Sequence, residues 1–342
     1  MIHDHAARWL HTLEPEAAHR WTIRGLKWGL GPRQFGADDA VLATSLAGIP
    51  LNNPVGLAAG FDKNAEAPDA MLAAGFGFVE CGAVTPRAQD GKPRPRVFRL
   101  TEDRAIINRM GFPNEGLDVF ERRLAARASR GGVVGVNLGA NLDSEDRVAD
   151  YVACLDRLKD LAQFFTVNIS SPNTPGLRQL QDSGALDGLL EAVSAVRSKA
   201  PLFLKVAPDI ADADAADITA AIQRFKLDGI IVSNTTIQRP ESLQSEHMGQ
   251  GGGLSGPPVF ERSTELIRHF RSAGPDLAII GVGGVSDAET AYWKIRAGAN
   301  AVQLYTALVY EGPGVIQQIK TGLVERLKAD GFASIGEAVG AG

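Results

Sequence analysis

A short polar segment follows an apolar, strand-like run in the middle of the chain. The run ends at Val167, and residues 168–176 contribute two asparagines, two serines and a threonine. So much polarity at the end of a buried strand is costly unless a ligand binds there. Carboxamides both donate and accept hydrogen bonds, which suits a planar molecule with carbonyl and N–H edges. Ser171 is a candidate base or nucleophile in this segment; the alternative is a proline-rich turn capped by Asn and Ser.

The segments on either side of this site alternate between strand and helix patterns. Short β-branched runs and helix-period segments of about ten to fifteen residues follow one another from Val55 onward, which is typical of βα units. The predicted strands are 55–58, 78–82, 133–138, 165–169, 202–206, 229–232, 278–282 and 301–304. The predicted helices are 65–74, 115–126, 145–162, 185–198, 211–225, 258–272, 288–297 and 314–328. Eight such units indicate a (β/α)8 TIM barrel over residues 37–342, preceded by a small N-terminal helical extension over residues 1–36.

Two insertions are longer than ordinary βα loops. Residues 85–111 are expected to hold a hairpin of strands 97–100 and 105–108. Residues 235–256 are polar and glycine-rich, which favours a mobile lid. Both follow strand C-termini, so both should cover the catalytic face. Strands at 41–46 and 49–51 are predicted to form a hairpin that closes the other end of the barrel.

The residues just past the predicted strands are polar, basic or glycine, on the face where TIM barrels carry their active sites. Gly283 and Gly284 follow the seventh strand, and Tyr305 and Thr306 follow the eighth, which is the usual phosphate site of this fold. Gly256 is a further candidate for this site. The asparagines at 137, 168, 173 and 234 suit carbonyl and imide groups.

Two lysines, Lys63 and Lys205, also lie at strand ends. They fit a cofactor that becomes anionic, as a reduced flavin does. The alternative for Lys205 is a Schiff-base nucleophile.

Composition excludes several classes of function. The net charge of −5 provides no basic field for nucleic acid. The two cysteines are too few for a zinc site or a disulfide framework, and the histidines lie outside the strand ends, so no metal site is expected. We expect no membrane span and no secretory signal.

The N-terminal segment is nevertheless unusual. Trp9, Trp21 and Trp28 fall within it, among aliphatic and basic residues. This combination suits helices that lie in a membrane interface. The alternative is a helical hairpin whose tryptophans pack on the main domain.

Motifs spread through nearly the whole chain resemble dihydroorotate dehydrogenase. They are GLAAGFDKN (56–64), TPRAQDGKPRPRVFRL (85–100), NRMGF (108–112), VNISSPNTPGLR (167–178), LKVAPD (204–209), SNTT (233–236), GGLSGPP (252–258), GVGG (281–284) and VQLYT (302–306). The extension containing EPEAAH (14–19), and serine at 171 where the soluble class has cysteine, resemble the membrane-associated, quinone-reducing class.

The resemblance implies an FMN-dependent enzyme that oxidises dihydroorotate to orotate in pyrimidine synthesis and passes the electrons to ubiquinone or another membrane quinone. It further implies a protein held peripherally on the cytoplasmic face of the cell (inner) membrane through its N-terminal helices. The rival interpretations are another FMN barrel oxidoreductase, a Schiff-base lyase using Lys205, and an inactive membrane-binding module.

The resemblance also assigns residues to the site. FMN would contact Ala59, Gly60, Lys63, Ala83, Asn137, Asn168, Lys205, Ser233, Gly256, Gly284, Tyr305 and Thr306. The substrate would contact Lys63, Asn108, Arg109, Met110, Gly111, Phe112, Asn168, Asn173, Asn234 and Thr235. Ser171 would remove the substrate's C5 proton, with Thr174 and Phe112 shaping the proton path. His19, Arg99 and Tyr305 would lie near the inner end of a quinone tunnel whose mouth is formed by the N-terminal helices.

Overall fold

Buried β-branched runs pair in parallel and close a barrel. The structure is a computed structural model that describes residues 10–171, 173 and 183–342. Its strands are β1 (Thr44–Leu46), β2 (Ile49–Leu51), β3 (Val55–Leu57), β4 (Phe78–Val84), β5 (Val97–Leu100), β6 (Ala105–Asn108), β7 (Val133–Leu138), β8 (Phe164–Asn168), β9 (Leu202–Val206), β10 (Gly229–Val232), β11 (Gly253–Ser255), β12 (Ala278–Val282) and β13 (Ala301–Leu304). The closed barrel has the strand order β3-β4-β7-β8-β9-β10-β12-β13.

Helices separate the barrel strands along the chain. They are α1 (Pro15–Lys27), α2 (Pro68–Ala73), α3 (Leu117–Arg127), α4 (Arg147–Leu158), α5 (Ser183–Val196), α6 (Asp214–Arg224), α7 (Phe260–Ala273), α8 (Ala288–Arg296), α9 (Thr306–Glu311) and α10 (Gly314–Asp330). The predicted (β/α)8 fold is therefore confirmed, and each barrel strand lies within two residues of its predicted bounds.

Three phenylalanines fill the lower end of the barrel interior. Phe78, Phe164 and Phe203 are fully buried and meet edge to face, with ring centroids 6.1 and 5.7 Å apart. Glycines on neighbouring strands make room for the rings. A Cβ atom on Gly135 would lie 2.1 Å from the ring of Phe164, and one on Gly56 would lie 2.3 Å from the ring of Phe78. The floor of the barrel is therefore an apolar plug whose shape depends on these glycines.

The hairpin β1–β2 closes this end from outside, as predicted, because Leu46 and Leu51 pack onto the plug. The predicted strand at 41–46 is too long at its start. Residues Ala40–Leu42 form a 3-10 turn instead, since the Asp39 carboxylate accepts the N–H of Val41 at 3.1 Å. A side chain that caps a turn in this way competes with strand pairing.

The hairpin β5–β6 forms in the first insertion with the predicted bounds. The second insertion is not entirely the irregular lid that its composition suggested. Its residues Gly253–Ser255 form strand β11, which pairs antiparallel with β6 and completes a three-stranded sheet. Glycine content indicated a loop here, but the backbone pairing depends on contacts between two distant segments, which local composition does not report.

The N-terminal helix α1 lies against the barrel. Glu14 caps its first turn by accepting the N–H groups of Glu16 and Ala17 at 3.0 and 2.9 Å, and Pro15 begins the helix. Its apolar side is buried through residues such as Ile23.

Two tryptophans of this segment, Trp21 and Trp28, expose half or more of their surface. Trp21 is 50% exposed and Trp28 is 68% exposed, and Trp9 lies outside the described residues. The alternative that these side chains belong to a water-side core is therefore wrong for Trp21 and Trp28. No helix among residues 10–171 and 183–342 is long and apolar enough to cross a membrane.

The floor of the barrel generates a stability prediction. We expect Gly135→Ala to lower the free energy of unfolding by about 1–3 kcal/mol, because the new methyl group overlaps the Phe164 ring inside a filled interior. Chemical denaturation followed by far-UV circular dichroism measures this change. Gly131→Ala, just before the same strand, is the matched control because nothing lies within 4 Å of its added Cβ. Equal midpoints for the two variants would contradict the prediction.

Candidate active site

One cavity of about 1010 Å³ occupies the C-terminal ends of the barrel strands and continues along α1. Most of the residues predicted for the site line it. They are His19, Ala59, Gly60, Lys63, Ala83, Asn108, Met110, Gly111, Phe112, Asn137, Asn168, Ser171, Asn173, Lys205, Ser233, Asn234, Thr235, Gly256, Gly284, Tyr305 and Thr306. The strand ends thus bring together residues that lie far apart in sequence, as expected for this fold.

Two of the predicted residues that the structure describes are not among the lining side chains. Arg109 points away, with its guanidinium 4.6 Å above the ring of Phe98 and hydrogen-bonded to Gln250 and to backbone carbonyls. Arg99 lies behind the cavity wall and donates to the carbonyls of His11 and Leu13 in the N-terminal segment. Thr174 lies outside the described residues.

A buried carboxylate organises the polar residues on the cavity floor. Glu80 of β4 is fully buried and accepts from Asn137 Nδ2 at 2.7 Å and from Gln303 Nε2 at 2.8 Å. Asn137 Oδ1 then accepts from Asn168 Nδ2 at 2.9 Å. Asn168 Oδ1 in turn accepts from the Ser170 hydroxyl at 2.9 Å. Because both carboxylate oxygens of Glu80 accept from amide nitrogens, they set the orientation of each amide in this chain.

The segment after β8 carries the candidate base. Ser171 is buried, and its Oγ accepts the N–H of Asn173 at 3.3 Å. Asn173 Nδ2 donates to the Asn108 carbonyl at 3.2 Å, so the end of β8 is tied to the hairpin insertion. Asn234 joins from β10 by donating to the Ser170 hydroxyl at 3.0 Å. The serine and the amides predicted from the sequence are therefore neighbours on one wall.

Both predicted lysines are held in a poorly hydrated environment. Burial lowers the pKa of Lys63 to about 8, although the carboxylates of Glu16 and Asp62 oppose this change. Its Nζ donates to the Gly60 carbonyl at 2.6 Å. Burial also lowers the pKa of Lys205, which the charge of Glu80 counteracts. Cations in such surroundings interact strongly with a bound anion.

Glycines shape the end of the cavity at β12 and β13. Gly283 and Gly284 have φ values of 103° and 76°, which side chains rarely adopt. A Cβ on Gly284 would lie 2.5 Å from Phe260, so the loop packs directly on the start of α7. Within the described chain, the N–H groups of Gly283 and Gly284 have no hydrogen-bond acceptor. Nearby, the hydroxyls of Ser255 and Thr306 are 2.9 Å apart. Free amides and hydroxyls of this kind suit a phosphate.

An aromatic junction connects the barrel with α1. The Tyr305 hydroxyl is 3.4 Å from His19 Nδ1, and both rings meet Phe61, with centroids 5.6 and 5.5 Å away. Burial lowers the pKa of His19 well below its usual value, helped by the charges of Lys63 and Arg20. Burial also raises the pKa of Tyr305. Both rings are therefore neutral at physiological pH.

Several residues that organise this site were not found by sequence reasoning. Glu80 and Gln303 lie inside predicted strands, and a charged or amide residue within an apolar strand was the available signal. Asp62 accepts the N–H groups of Glu66 and Ala67 at 2.8 and 2.7 Å and so shapes the turn that carries Lys63.

Gln89 also escaped notice. Its Nε2 donates to the carbonyls of Gly111 and Phe112 at 3.1 and 3.0 Å and so holds the 110–112 segment against the cavity. No local sequence signal marked this residue.

Comparison with known proteins agrees with this geometry. The family model described as dihydroorotate dehydrogenase matches residues 41–327. The chain is 53% identical over 334 residues to a dihydroorotate dehydrogenase (quinone) of Erythrobacter litoralis, and the match covers 97% of each chain. It is 52% identical over 339 residues to the dihydroorotate dehydrogenase (quinone) of Brucella ovis, and this match covers 96% of this chain and 93% of the relative. The crystal structure of the ligand-free enzyme from Eimeria tenella superimposes with a TM-score of 0.93 at 40% identity, covering 96% of this chain and 99% of that chain. The family and the quinone-dependent type expected from the sequence are confirmed, and the chain belongs to the dihydroorotate dehydrogenase family.

Proposed function

We propose that the protein oxidises dihydroorotate to orotate in pyrimidine biosynthesis, with FMN as its prosthetic group and a membrane quinone such as ubiquinone as the electron acceptor. The observation that carries the proposal is the continuity of the cavity. It joins the wall of amides, lysines and Ser171 to the aromatic junction beneath α1. A single site can therefore receive a polar, planar substrate at one end and an apolar acceptor at the other.

The polar residues of the barrel fit a flavin mononucleotide. The free N–H groups of Gly283 and Gly284, with Gly256 and Thr306, suit its phosphate. The amides of Asn137 and Asn168 suit the polar edge of the ring, and Lys63 and Lys205 suit negative charge there. The remaining proposed contacts are Ala59, Gly60, Ala83, Ser233 and Tyr305. When bound, FMN supplies the hydride acceptor that no side chain of this chain can provide.

The substrate is proposed to lie against the amide wall. Asn108, Asn173 and Asn234 offer donors and acceptors for its imide edge, and Lys63 offers a cation for its carboxylate. Asn168 and Thr235 complete this wall, and Met110, Gly111 and Phe112 face it from the hairpin insertion. We propose that Arg109 holds the hairpin insertion (85–111) to the second insertion (235–256) and does not contact the substrate, since its guanidinium points away from the cavity.

Ser171 is proposed to take the C5 proton of the substrate while its own hydroxyl proton passes to water along a proton path. A serine hydroxyl is a weak base, so its action depends on polarisation of the substrate and on stabilisation of the oxygen. The N–H of Asn173 points to Ser171 Oγ and would favour negative charge there. Amides around the substrate carbonyls would stabilise enolate-like charge at the same time. Phe112, and Thr174 outside the described residues, are the proposed neighbours of the proton path.

The quinone is proposed to reach the site through the part of the cavity that runs along α1. Ile23 is apolar, and the cavity runs past it to the neutral pair of His19 and Tyr305. Neutral rings suit an uncharged quinone better than an imidazolium would. Arg99 would act on this junction from behind, because it is close enough for its charge to favour the ionised form of Tyr305.

The exposed apolar residues of the N-terminal segment favour contact with a membrane surface. Trp21, Trp28, Leu30 and Phe35 are all at least half exposed. Arg20 directly precedes them in sequence, and Arg24, Lys27 and Arg33 lie between them. Aromatic and basic residues together are typical of interfacial helices. We propose that the protein binds peripherally to the cytoplasmic face of the cell (inner) membrane through this segment, which corresponds to residues 1–36, while residues 37–342 form the FMN-binding barrel.

Anaerobic absorbance spectroscopy tests the reaction and its base together. We expect flavin bands in the purified protein that bleach with dihydroorotate and return with a ubiquinone analogue. Ser171→Ala should keep the bands and bind orotate but bleach roughly a hundredfold or more slowly, because the proton acceptor is missing. Ser171→Cys is the control that restores a group able to accept the proton.

The possible failures of this experiment are distinct. An unchanged bleaching rate in Ser171→Ala would remove the serine from this role. A flavin that dihydroorotate does not reduce would favour another FMN barrel oxidoreductase, and folded protein without flavin would favour a lyase acting through Lys205.

The pKa of Lys63 predicts how orotate affinity changes with pH. Lys63 must be protonated to pair with the carboxylate of the ligand, and burial lowers its pKa to about 8. The affinity for orotate should therefore be constant at pH values below this pKa. It should decrease as the pH rises through the pKa, and the decrease should approach tenfold per pH unit. Titration of the flavin spectrum with orotate between about pH 6 and pH 10 measures this profile. Lys63→Met should bind weakly with no such fall; a level wild-type profile would contradict the assignment.

The membrane proposal predicts a selective loss of turnover. Trp21→Ser combined with Trp28→Ser should reduce binding to anionic phospholipid vesicles by about tenfold or more and slow turnover with a long-chain quinone held in them. Flavin reduction by dihydroorotate, and turnover with a soluble short-chain quinone, should be unchanged. Trp293→Ser is the matched control, since Trp293 is 49% exposed but lies on the barrel helix α8. Equal vesicle binding by the double variant and the control would refute the surface assignment.

A further inference from the structure

Lys294 of α8 is fully buried, and its ammonium contacts two hydroxyls and an aromatic ring. Its Nζ donates to the hydroxyls of Ser263 at 2.6 Å and Thr264 at 3.0 Å, and it lies 4.9 Å from the centre of the Phe260 ring. In the part of the chain that the structure describes, no acidic group forms an ion pair with it, and the charge of Arg268, which has the same sign, acts on it. Burial of a cation in this way is costly unless an anion balances it.

One of the hydroxyls that accept from Lys294, that of Ser263, also contacts the loop formed by Gly283 and Gly284 (the glycine loop). Ser263 Oγ lies 3.2 Å from the Gly283 carbonyl and 3.1 Å from the Phe260 carbonyl, and its hydroxyl can donate to either. The aliphatic part of the Lys294 side chain packs against the strand that leads into this loop, because a Cβ on Gly281 would lie 3.2 Å from its Cδ. Gly284, the next residue in the loop, rests on Phe260, whose ring faces the lysine. Lys294 therefore lies immediately behind the loop that lines the end of the cavity.

Two unbalanced features meet at this loop. On the cavity side, the N–H groups of Gly283 and Gly284 have no acceptor among the described residues. On the helix side, the buried ammonium has no counter-charge. One anion bound on the cavity side would satisfy both, since the backbone would donate to it directly and the lysine would attract it through a region of low dielectric constant.

We propose that Lys294 is the buried counter-charge for the phosphate of the flavin nucleotide, and that it positions the glycine loop through Ser263. The proposal rests on the assignment of FMN as the prosthetic group. Lys294 does not touch the phosphate; it is a positioning residue that acts across the loop. A phosphate monoester carries a charge of about −1.5 to −2 at pH 7, which is enough to compensate a buried ammonium.

The state of the lysine should change when the anion binds. Burial lowers the pKa of Lys294 well below its ordinary value in the protein alone, and Arg268 adds to this effect. A neighbouring dianion favours the protonated form and opposes that change. Phosphate binding and protonation of Lys294 are therefore linked, and each promotes the other.

The test compares two flavins that differ only in the phosphate group. Full-length protein freed of flavin is titrated with FMN and with riboflavin, using the quenching of flavin fluorescence to obtain each dissociation constant. Lys294→Met keeps the length of the side chain and removes its charge. We expect it to lower the preference for FMN over riboflavin by about tenfold to a hundredfold, with little change in riboflavin affinity.

Lys320→Met is the matched control. Lys320 is also buried, but it lies at the other end of the barrel and has Asp38 as an ion-pair partner at 2.8 Å. Its loss should lower stability without changing the preference between the two flavins. If Lys294→Met gives no folded protein, Lys294→Gln replaces it, because the amide retains hydrogen-bond donors to the hydroxyls but carries no charge.

The outcomes separate this inference from the function on which it rests. A wild-type protein that binds FMN no better than riboflavin would overturn the cofactor assignment itself. A wild-type preference for FMN that persists in the Lys294 variants would overturn only the role of the lysine. Equal loss of affinity for both flavins would show that Lys294 supports the fold alone, and would also overturn the proposal.

Discussion

The polar chemistry of the site depends on one buried carboxylate. Both carboxylate oxygens of Glu80 accept hydrogen bonds, so Asn137 and Gln303 each turn a nitrogen toward it. The oxygen of Asn137 is then left for Asn168, whose own oxygen is left for Ser170. Reversing any amide would place two donors or two acceptors face to face in a dry interior, where an unpaired polar group costs about 1–3 kcal/mol. The orientation of the amides that face the cavity is thus decided below them, inside the barrel.

The barrel interior can hold such a chain because its layers differ in chemistry. The phenylalanine plug excludes water from below, and the polar layer of Glu80, Thr166, Lys205 and Gln303 lies above it. Thr166 Oγ1 and Gln303 Oε1 are buried without a partner in the described chain, so this layer is not satisfied by the protein alone. Gln303 lines the cavity, so a polar ligand seated there would supply a contact for its oxygen. The same burial lowers the pKa values of Lys63 and Lys205, and it strengthens the interaction of both lysines with an anionic ligand.

Features that repeat along the chain were predictable, and features made by single long-range contacts were not. The strands β7, β9, β10, β12 and β13 have their predicted bounds because continuous apolar runs end at polar strand termini. Strand β11 was missed, since its three residues pair only because β6 offers an edge. The motifs placed most of the site on the correct face, but they did not reveal that Arg109 turns outward to Phe98. Nor did they mark Lys294, whose importance depends on a packing contact between α7 and α8.

The N-terminal helix α1 interacts electrostatically with residues on the catalytic face of the barrel. The guanidinium of Arg96, beside β5, donates to both carboxylate oxygens of Glu16 on α1, at distances from 2.9 to 3.2 Å. Burial alone would raise the pKa of Glu16, but Arg96 reverses this and holds it below its usual value, so the pair is ionised. Breaking a buried pair of this kind costs about 3–5 kcal/mol, which fixes α1 to the hairpin insertion. Since the same carboxylate also favours the protonated form of Lys63, the segment proposed to receive the quinone and the lysine proposed to hold the substrate share one electrostatic environment. A displacement of α1 would therefore change both ends of the cavity at once.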